Sequence, residues 1–211
     1  LYYASSRKGT IGGRDIWRSQ RKENGEWSNP VNLGSKINTT ADDESPFFHP
    51  DGKTLYFMSS GHEGMGGYDL FVARKTSEGS WDTPQNLGYP INTQSHEGAL
   101  FIARDGRTAY FATDRMAKKT SDEEAEGNPF RGANARIDVD IFSFDLPEPA
   151  RATPVTYVKA IVKDAVTKRT LEAHAELTNL ATQKINYDDV TDKSGSFLVC
   201  LQGHGTNHSQ G

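Results

Sequence analysis

Cysteine is nearly absent. Cys200 is the only one in 211 residues, so no intrachain disulfide can form. Neither a Cys-x-x-Cys pair nor a mixed Cys/His set is present to hold zinc, and cysteine usage leaves the redox compartment open. Long apolar runs are missing as well: the longest, such as residues 197–201, fall far short of the roughly 20 residues that a spanning helix needs. No charged-then-apolar leader opens the chain. Leu1 already lies inside an apparent strand, so any targeting segment is expected to have been removed or to lie outside these residues. Positive charge is not in excess either. The 24 Lys and Arg face 28 Asp and Glu for a net charge of −4, with no basic cluster, which argues against nucleic acid as a partner.

Catalytic signatures are also lacking. No Gly-x-Ser-x-Gly elbow occurs, and no Ser/His/Asp set stands out. His62-Glu63 and His96-Glu97 resemble half of a zinc-protease motif, but neither continues to the second histidine. His204 and His208 are four apart in a Gly-rich segment, where helical spacing has no meaning. The expectation is a protein that is not an enzyme, with no catalytic, cofactor-binding or metal-binding residues.

What is present is a repeat. Written from Leu1 and again from Leu55, the chain aligns with itself over 54 positions without a gap. LYYASS matches LYFMSS, and Gly12-Gly13-x-Asp15 matches Gly66-Gly67-x-Asp69. Gly25, Trp27, Pro30 and Asn32-Leu33-Gly34 match Gly79, Trp81, Pro84 and Asn86-Leu87-Gly88. Ile37-Asn38 returns as Ile91-Asn92, and Asp51-Gly52 as Asp105-Gly106. A third copy starts at Ala109 and regains the register at Asp140, which lies 71 residues after Asp69, so 17 extra residues sit in the loop before it.

The complete middle copy predicts four short strands, at 46–49, 55–59, 69–75 and 81–87, separated by Gly-rich and Asp-Gly turns. Apolar positions follow a period near 2, and Gly or Pro interrupts about every 10 to 15 residues, which excludes long helices. Four antiparallel strands per repeat, with aromatics at fixed offsets, is the pattern of a β-propeller blade, so the expected fold is all-β. Residues 1–145 are assigned to such blades: 1–34 supplies the last three strands of one, and 97–144 the first three of another. An upstream strand from the start of the propeller is expected to complete that last blade and close the ring. The recurring Gly12, Gly13, Asp15, Gly66, Gly67, Asp69 and Asp140 read as blade architecture, each Asp accepting backbone N–H bonds in its turn. Trp27 and Trp81 read as packing between blades rather than as sugar platforms. Asp138 and Asp140 form an Asp-x-Asp on one strand face, but the repeat already accounts for Asp140. The acidic and basic insert at 115–136 reads as a solvated loop, with a partner-docking loop as the alternative.

Three prolines then mark 146–154 as a semi-rigid linker. From Thr156 the alternating segments TYVKAIVKD, HAELTNL, KINYDDV and SFLVCL imply a small β-sandwich at 155–211, short for a comfortable core and expected to be truncated at Gly211.

The stretch ESPFFHPDGKTLYFMSSGHEGMGGYDLFVARKTSEGSWDTPQNLG resembles the WD40-like PD40 repeat of Bacteroidetes envelope proteins. DIFSFDLPEPARATPVTYVKAIVKDAVTKRTLEA with DKSGSFLVCL is similar to the junction in their OmpA-family members. There a PD40 propeller precedes a carboxypeptidase-regulatory-like sandwich and a peptidoglycan-binding OmpA-like domain. The insert and the ending QGHGTNHSQG depart from that pattern. The resemblance implies a periplasmic protein associated with the outer membrane, with protein partners in an outer-membrane complex, in some members that of type IX secretion. Peptidoglycan contact would fall to a domain outside this chain. Two rival expectations are the propeller of a hydrolase, gating or binding peptides or glycans, and a carbohydrate-binding propeller.

Overall fold

The computed structural model describes residues 1–22, 24–115, 140–180, 183 and 185–202. Most of the insert, Asp138, His204 and His208 lie outside these residues. The chain divides into two compact units, Leu1–Ala152 and Thr153–Gly211. Each is all-β and antiparallel. Among the described residues the helical turn is a single 3-10 turn at Glu148–Ala150, and no helix is long and apolar enough to cross a membrane.

Among the described residues the first unit holds three sheets. β1 (Tyr2–Ser5), β2 (Asp15–Arg18) and β3 (Val31–Asn32) form the first; β4 (Asp43–Phe48), β5 (Thr54–Ser59), β6 (Asp69–Arg74) and β7 (Gln85–Asn86) form the second; β8 (Glu97–Ile102), β9 (Thr108–Thr113) and β10 (Asp140–Asp145) form the third. Strands neighbour one another in chain order, and the pairing register repeats. Tyr3 faces Trp17 as Phe57 faces Phe71, and Trp17 faces Asn32 as Phe71 faces Asn86.

Two expected strands differ in extent. The fourth, expected over 81–87, is a Lys75–Trp81 bridge followed by the two residues of β7, because Pro84 between them has no N–H for a ladder. The first begins three residues earlier, at Asp43, and bulges between Glu44 and Phe47, which accommodates Pro46. β8 bulges at the equivalent place, so Ser45 and Ala99 share a left-handed φ of 48° and 50°.

The second sheet is buried on both faces, which is why Leu55, Tyr56 and Phe57 are consecutively apolar. Leu55, Phe57, Phe71 and Ala73 pack against Ile16 and Ile37 of the first repeat. Tyr56, Leu70 and Val72 pack on the other side against Leu100, Ile102, Ala109 and Phe111. Each fully buried side chain of this size contributes about 1.5–3 kcal/mol.

The proline-rich segment expected as a linker is fastened to the first unit as far as Ala152. Leu146 is fully buried, and Ala150 and Ala152 join the same core. The Tyr56 hydroxyl donates to the Ala150 carbonyl at 2.6 Å, and Arg74 Nη2 donates to the carbonyls of Pro149 and Arg151 at 2.7 and 3.0 Å. Pro147 and Pro149 cannot donate to a ladder, so the chain leaves β10 without adding a strand beside it. Among the described residues the third sheet has three strands, with β10 at its edge.

In the second unit, β11 (Val155–Ile161) pairs with β14 (Ser196–Gln202) and β12 (His174–Thr178) with β13 (Ile185–Val190). The Tyr187 and Phe197 rings stack at 5.5 Å.

The Asp-Gly turns show how short-range chemistry sets the hairpins. Asp51 Oδ1 accepts the N–H groups of Lys53 and Thr54 at 3.0 and 2.9 Å, and Oδ2 accepts the Thr54 hydroxyl at 2.7 Å. Asp105 does the same for Arg107 and Thr108. Gly52 and Gly106 take the positive φ that the turn needs, 77° and 68°. Burial opposes ionisation of Asp51, but the His49 ring beside it and the hydrogen bonds from Lys53 and Thr54 outweigh that and hold its carboxyl below the ordinary carboxylate range. Its contribution is therefore complete above the ordinary pKa near 3.9 and is lost as pH falls towards the depressed folded value. Asp43, raised by burial, has the opposite sign. Asp51→Asn is expected to cost about 2 kcal/mol at neutral pH and progressively less on acidification. Urea denaturation of both proteins at neutral and acid pH checks this: a variant deficit that does not change with pH would contradict it.

Candidate functional site

The repeated polar residues form one bonding scheme, present twice. Asp15 Oδ2 accepts the Ile11 N–H at 2.7 Å, and Asp69 Oδ2 accepts that of Met65 at 2.5 Å, so each aspartate ties down the loop before its own strand. Gly13 and Gly67 donate to the carbonyls of Ala41 and Ser95 in the loop leading to the next sheet. The approach is close: a Cβ on Gly12 would stand 2.4 Å from the Ala41 oxygen, and one on Gly66 2.4 Å from the Thr93 oxygen. Asn38 completes the link. Its Oδ1 accepts from Ile16 N–H at 2.7 Å and its Nδ2 donates to Ile16 C=O at 3.0 Å, as a neighbouring strand would; Asn92 does the same to Leu70, both at 2.9 Å. Thr39 and Thr93 then donate backbone N–H and hydroxyl to Asp43 and Glu97 at the start of the next sheet's inner strand. The third copy differs. Asp140 is exposed, and the loop it would fasten lies outside the described residues.

Trp81 is 8% exposed and packs edge-on against Phe48 and, across the sheets, Tyr2. Trp27, at the same repeat position, is 53% exposed, because no preceding sheet lies beside it among the described residues. His62 packs against the stacked rings of Phe57 and Phe71, its Nε2 at 2.8 Å from the Ile37 carbonyl. Among the described residues no three His, Cys, Asp or Glu side chains converge as a metal set.

The second His-Glu pair lines a cavity of about 420 Å³ between the second and third sheets. Met58, the bare Gly98, Ala99 and Ala112 supply apolar lining; Tyr68, His96, Glu97 and Asp114 supply the polar part. Glu97 is 1% exposed and is neutralised by Arg115 Nη2 at 3.3 Å. The Tyr68 hydroxyl points at two carboxylates, Asp42 Oδ2 at 3.1 Å and Glu44 Oε1 at 3.3 Å. Burial and these neighbours push its pKa up to about 12, so it stays a donor. His96 Nδ1 accepts the Tyr68 N–H at 3.3 Å, which in the neutral ring puts the proton on Nε2. The geometry suits binding: an apolar hollow with a few fixed polar groups.

Self-alignment shows Asn38 and Asn92 but not their backbone-pairing role, and it hides Asp43 and Glu97 because the carboxylates differ in length. The cavity carries no repeat signal because it is made where the copies differ. Compared with known protein families and with curated proteins, the chain matches no family model and no curated sequence.

Proposed function

We propose that the chain is a non-catalytic protein-interaction scaffold whose three sheets are blades of a β-propeller. The observation that carries this reading is the fate of the repeated residues: Asp15 and Asp69 fasten the loops before their own strands, Gly12 and Gly66 allow the next loop to approach, and Gly13, Asn38, Gly67 and Asn92 make the backbone bonds between each sheet and the loop leading to the next. The half-exposed Trp27, whose equivalent Trp81 is covered by an adjoining sheet, supports a larger array in which a further sheet of the same repeat lies beside the first. Among the described residues β10 lies at a sheet edge, which leaves a place for a fourth strand to complete a third blade. The resemblance of the repeat and junction to OmpA-family envelope proteins supports a place in the periplasm at the outer membrane, between a peptidoglycan anchor carried elsewhere and an outer-membrane complex, that of type IX secretion being the foremost candidate.

Affinity capture of the native protein from envelope fractions, with mass spectrometry of bound proteins and of co-purifying muropeptides, tests this. Recovery of outer-membrane secretion components together with muropeptides is the expected result. A preparation free of both that hydrolyses peptides or glycans would overturn it.

A further inference from the structure

The cavity exists because the third repeat departs from the second. Where the second has Glu44, Ser45 and Met58, the third has Gly98, Ala99 and Ala112, each 54 positions on and each smaller. A Cβ at Gly98 would lie 2.9 Å from Met58 Sδ, so a larger residue there would displace the end of the Met58 side chain.

The charges depart as well. In the second repeat the Asp42 N–H is capped by the Ser60 hydroxyl at 3.2 Å; in the third the equivalent His96 N–H is capped by Asp114 Oδ1 at 2.9 Å. A neutral hydroxyl is sufficient for that cap, so the charge and second oxygen of Asp114 serve nothing in it. Glu44 is paired with Arg14, and Glu97 with Arg115. Asp114 and Asp42 have no salt bridge among the described residues, Asp42 taking only the Arg14 N–H and the Tyr68 hydroxyl. The result, among the described residues, is an aliphatic hollow beside a carboxylate that has no salt bridge.

We propose that this cavity binds a lysine side chain presented by a protein partner, its methylenes against Met58 and Ala112 and its ammonium at Asp114. Long cationic side chains bury an apolar stem while keeping a charged head near polar groups, and this lining offers both. The site lies wholly within the second and third sheets, so it stands whether or not the larger array exists.

The test uses the whole chain labelled with 13C at the methionine methyl groups. Met58, Met65 and Met116 are the only methionines, and Met58→Leu identifies the cavity signal. Titration with Nα-acetyl-lysine N-methylamide is expected to shift the Met58 signal saturably, with a dissociation constant on the order of 1 mM. The norleucine analogue, which has the stem without the charge, is expected to leave it unmoved. Asp114→Asn keeps the cap on His96 and should weaken binding about five-fold. Ala112→Met, which restores the second repeat's residue and fills the space, should abolish it, with the Met65 signal reporting that the fold is retained. No shift with the lysine compound, an equal shift with norleucine, or an unchanged titration in Asp114→Asn would each overturn the proposal.

Discussion

Replacing Asn92 with alanine is expected to lower the stability of the first unit by about 2–3 kcal/mol, because the buried Leu70 N–H is left unsatisfied, at about 1–3 kcal/mol, while the Leu70 carbonyl keeps only its bond from the Leu87 N–H. The amide occupies the position of a neighbouring strand, giving and receiving one bond at Leu70, and its Nδ2 also donates to Asn86 Oδ1 at 2.7 Å, which fixes the cap on Gly88. Alanine supplies neither donor nor acceptor, and the site is too enclosed for water to substitute freely: Asn92 and Leu70 are both fully buried. Asn38→Ala should cost about as much, because the same bonds run to Ile16 and to Asn32. Equal losses at positions 54 apart would be a property of the repeat rather than of one loop. All three tryptophans, Trp17, Trp27 and Trp81, lie in the first unit, so urea denaturation followed by tryptophan fluorescence reads its stability directly. A loss below about 1 kcal/mol at either position would mean that the amides are replaceable by solvent.

Gly66→Ala is expected to be the next most damaging change, at about 2–3 kcal/mol. The added methyl would meet two main-chain oxygens, those of Thr93 at 2.4 Å and Ser95 at 2.5 Å, and neither is the flexible end of a side chain. Relief requires the loop of one sheet to retreat from the next, which also lengthens the bond from Gly67 N–H to Ser95 C=O. Gly79→Ala provides the contrast. It has a positive φ of 81° but nothing within 4 Å of a Cβ, so its cost is the backbone strain alone, about 1 kcal/mol. Thermal melting of the two variants should therefore separate them clearly; equal melting temperatures would remove close approach as the reason for the glycine pair.

Much of this architecture is legible in the chain because the repeat turns single residues into pairs. A lone Gly-Gly-x-Asp says little, whereas Gly12, Gly13 and Asp15 returning as Gly66, Gly67 and Asp69 at one offset point to a structural task, and the bonds to Ile11, Met65, Ala41 and Ser95 are that task. The continuous apolar run of β5 follows from a sheet packed on both sides. Three features were harder to read. The segment 146–152 has the prolines of a linker, yet Leu146, Ala150 and Ala152 are small or apolar enough to settle against Tyr56, a long-range contact that composition does not encode. Trp27 and Trp81 are identical in sequence position but not in burial, since burial depends on what stands beside the sheet. The cavity escapes any search for similarity between copies, because Gly98, Ala99, Ala112 and Asp114 are the places where the copies disagree.

The central claim is that side chains from one loop serve as the missing ladder partners of the preceding sheet, and amide hydrogen exchange tests it most directly. The N–H groups of Ile16 and Leu70 bond to Asn38 and Asn92, not to another strand. They are expected to exchange as slowly as the amides of the buried strand β5, opening only when the whole unit unfolds. Exchange at the rate of an exposed turn residue such as Asn24 would contradict the account, and would return the recurring asparagines to the pool of residues available for binding.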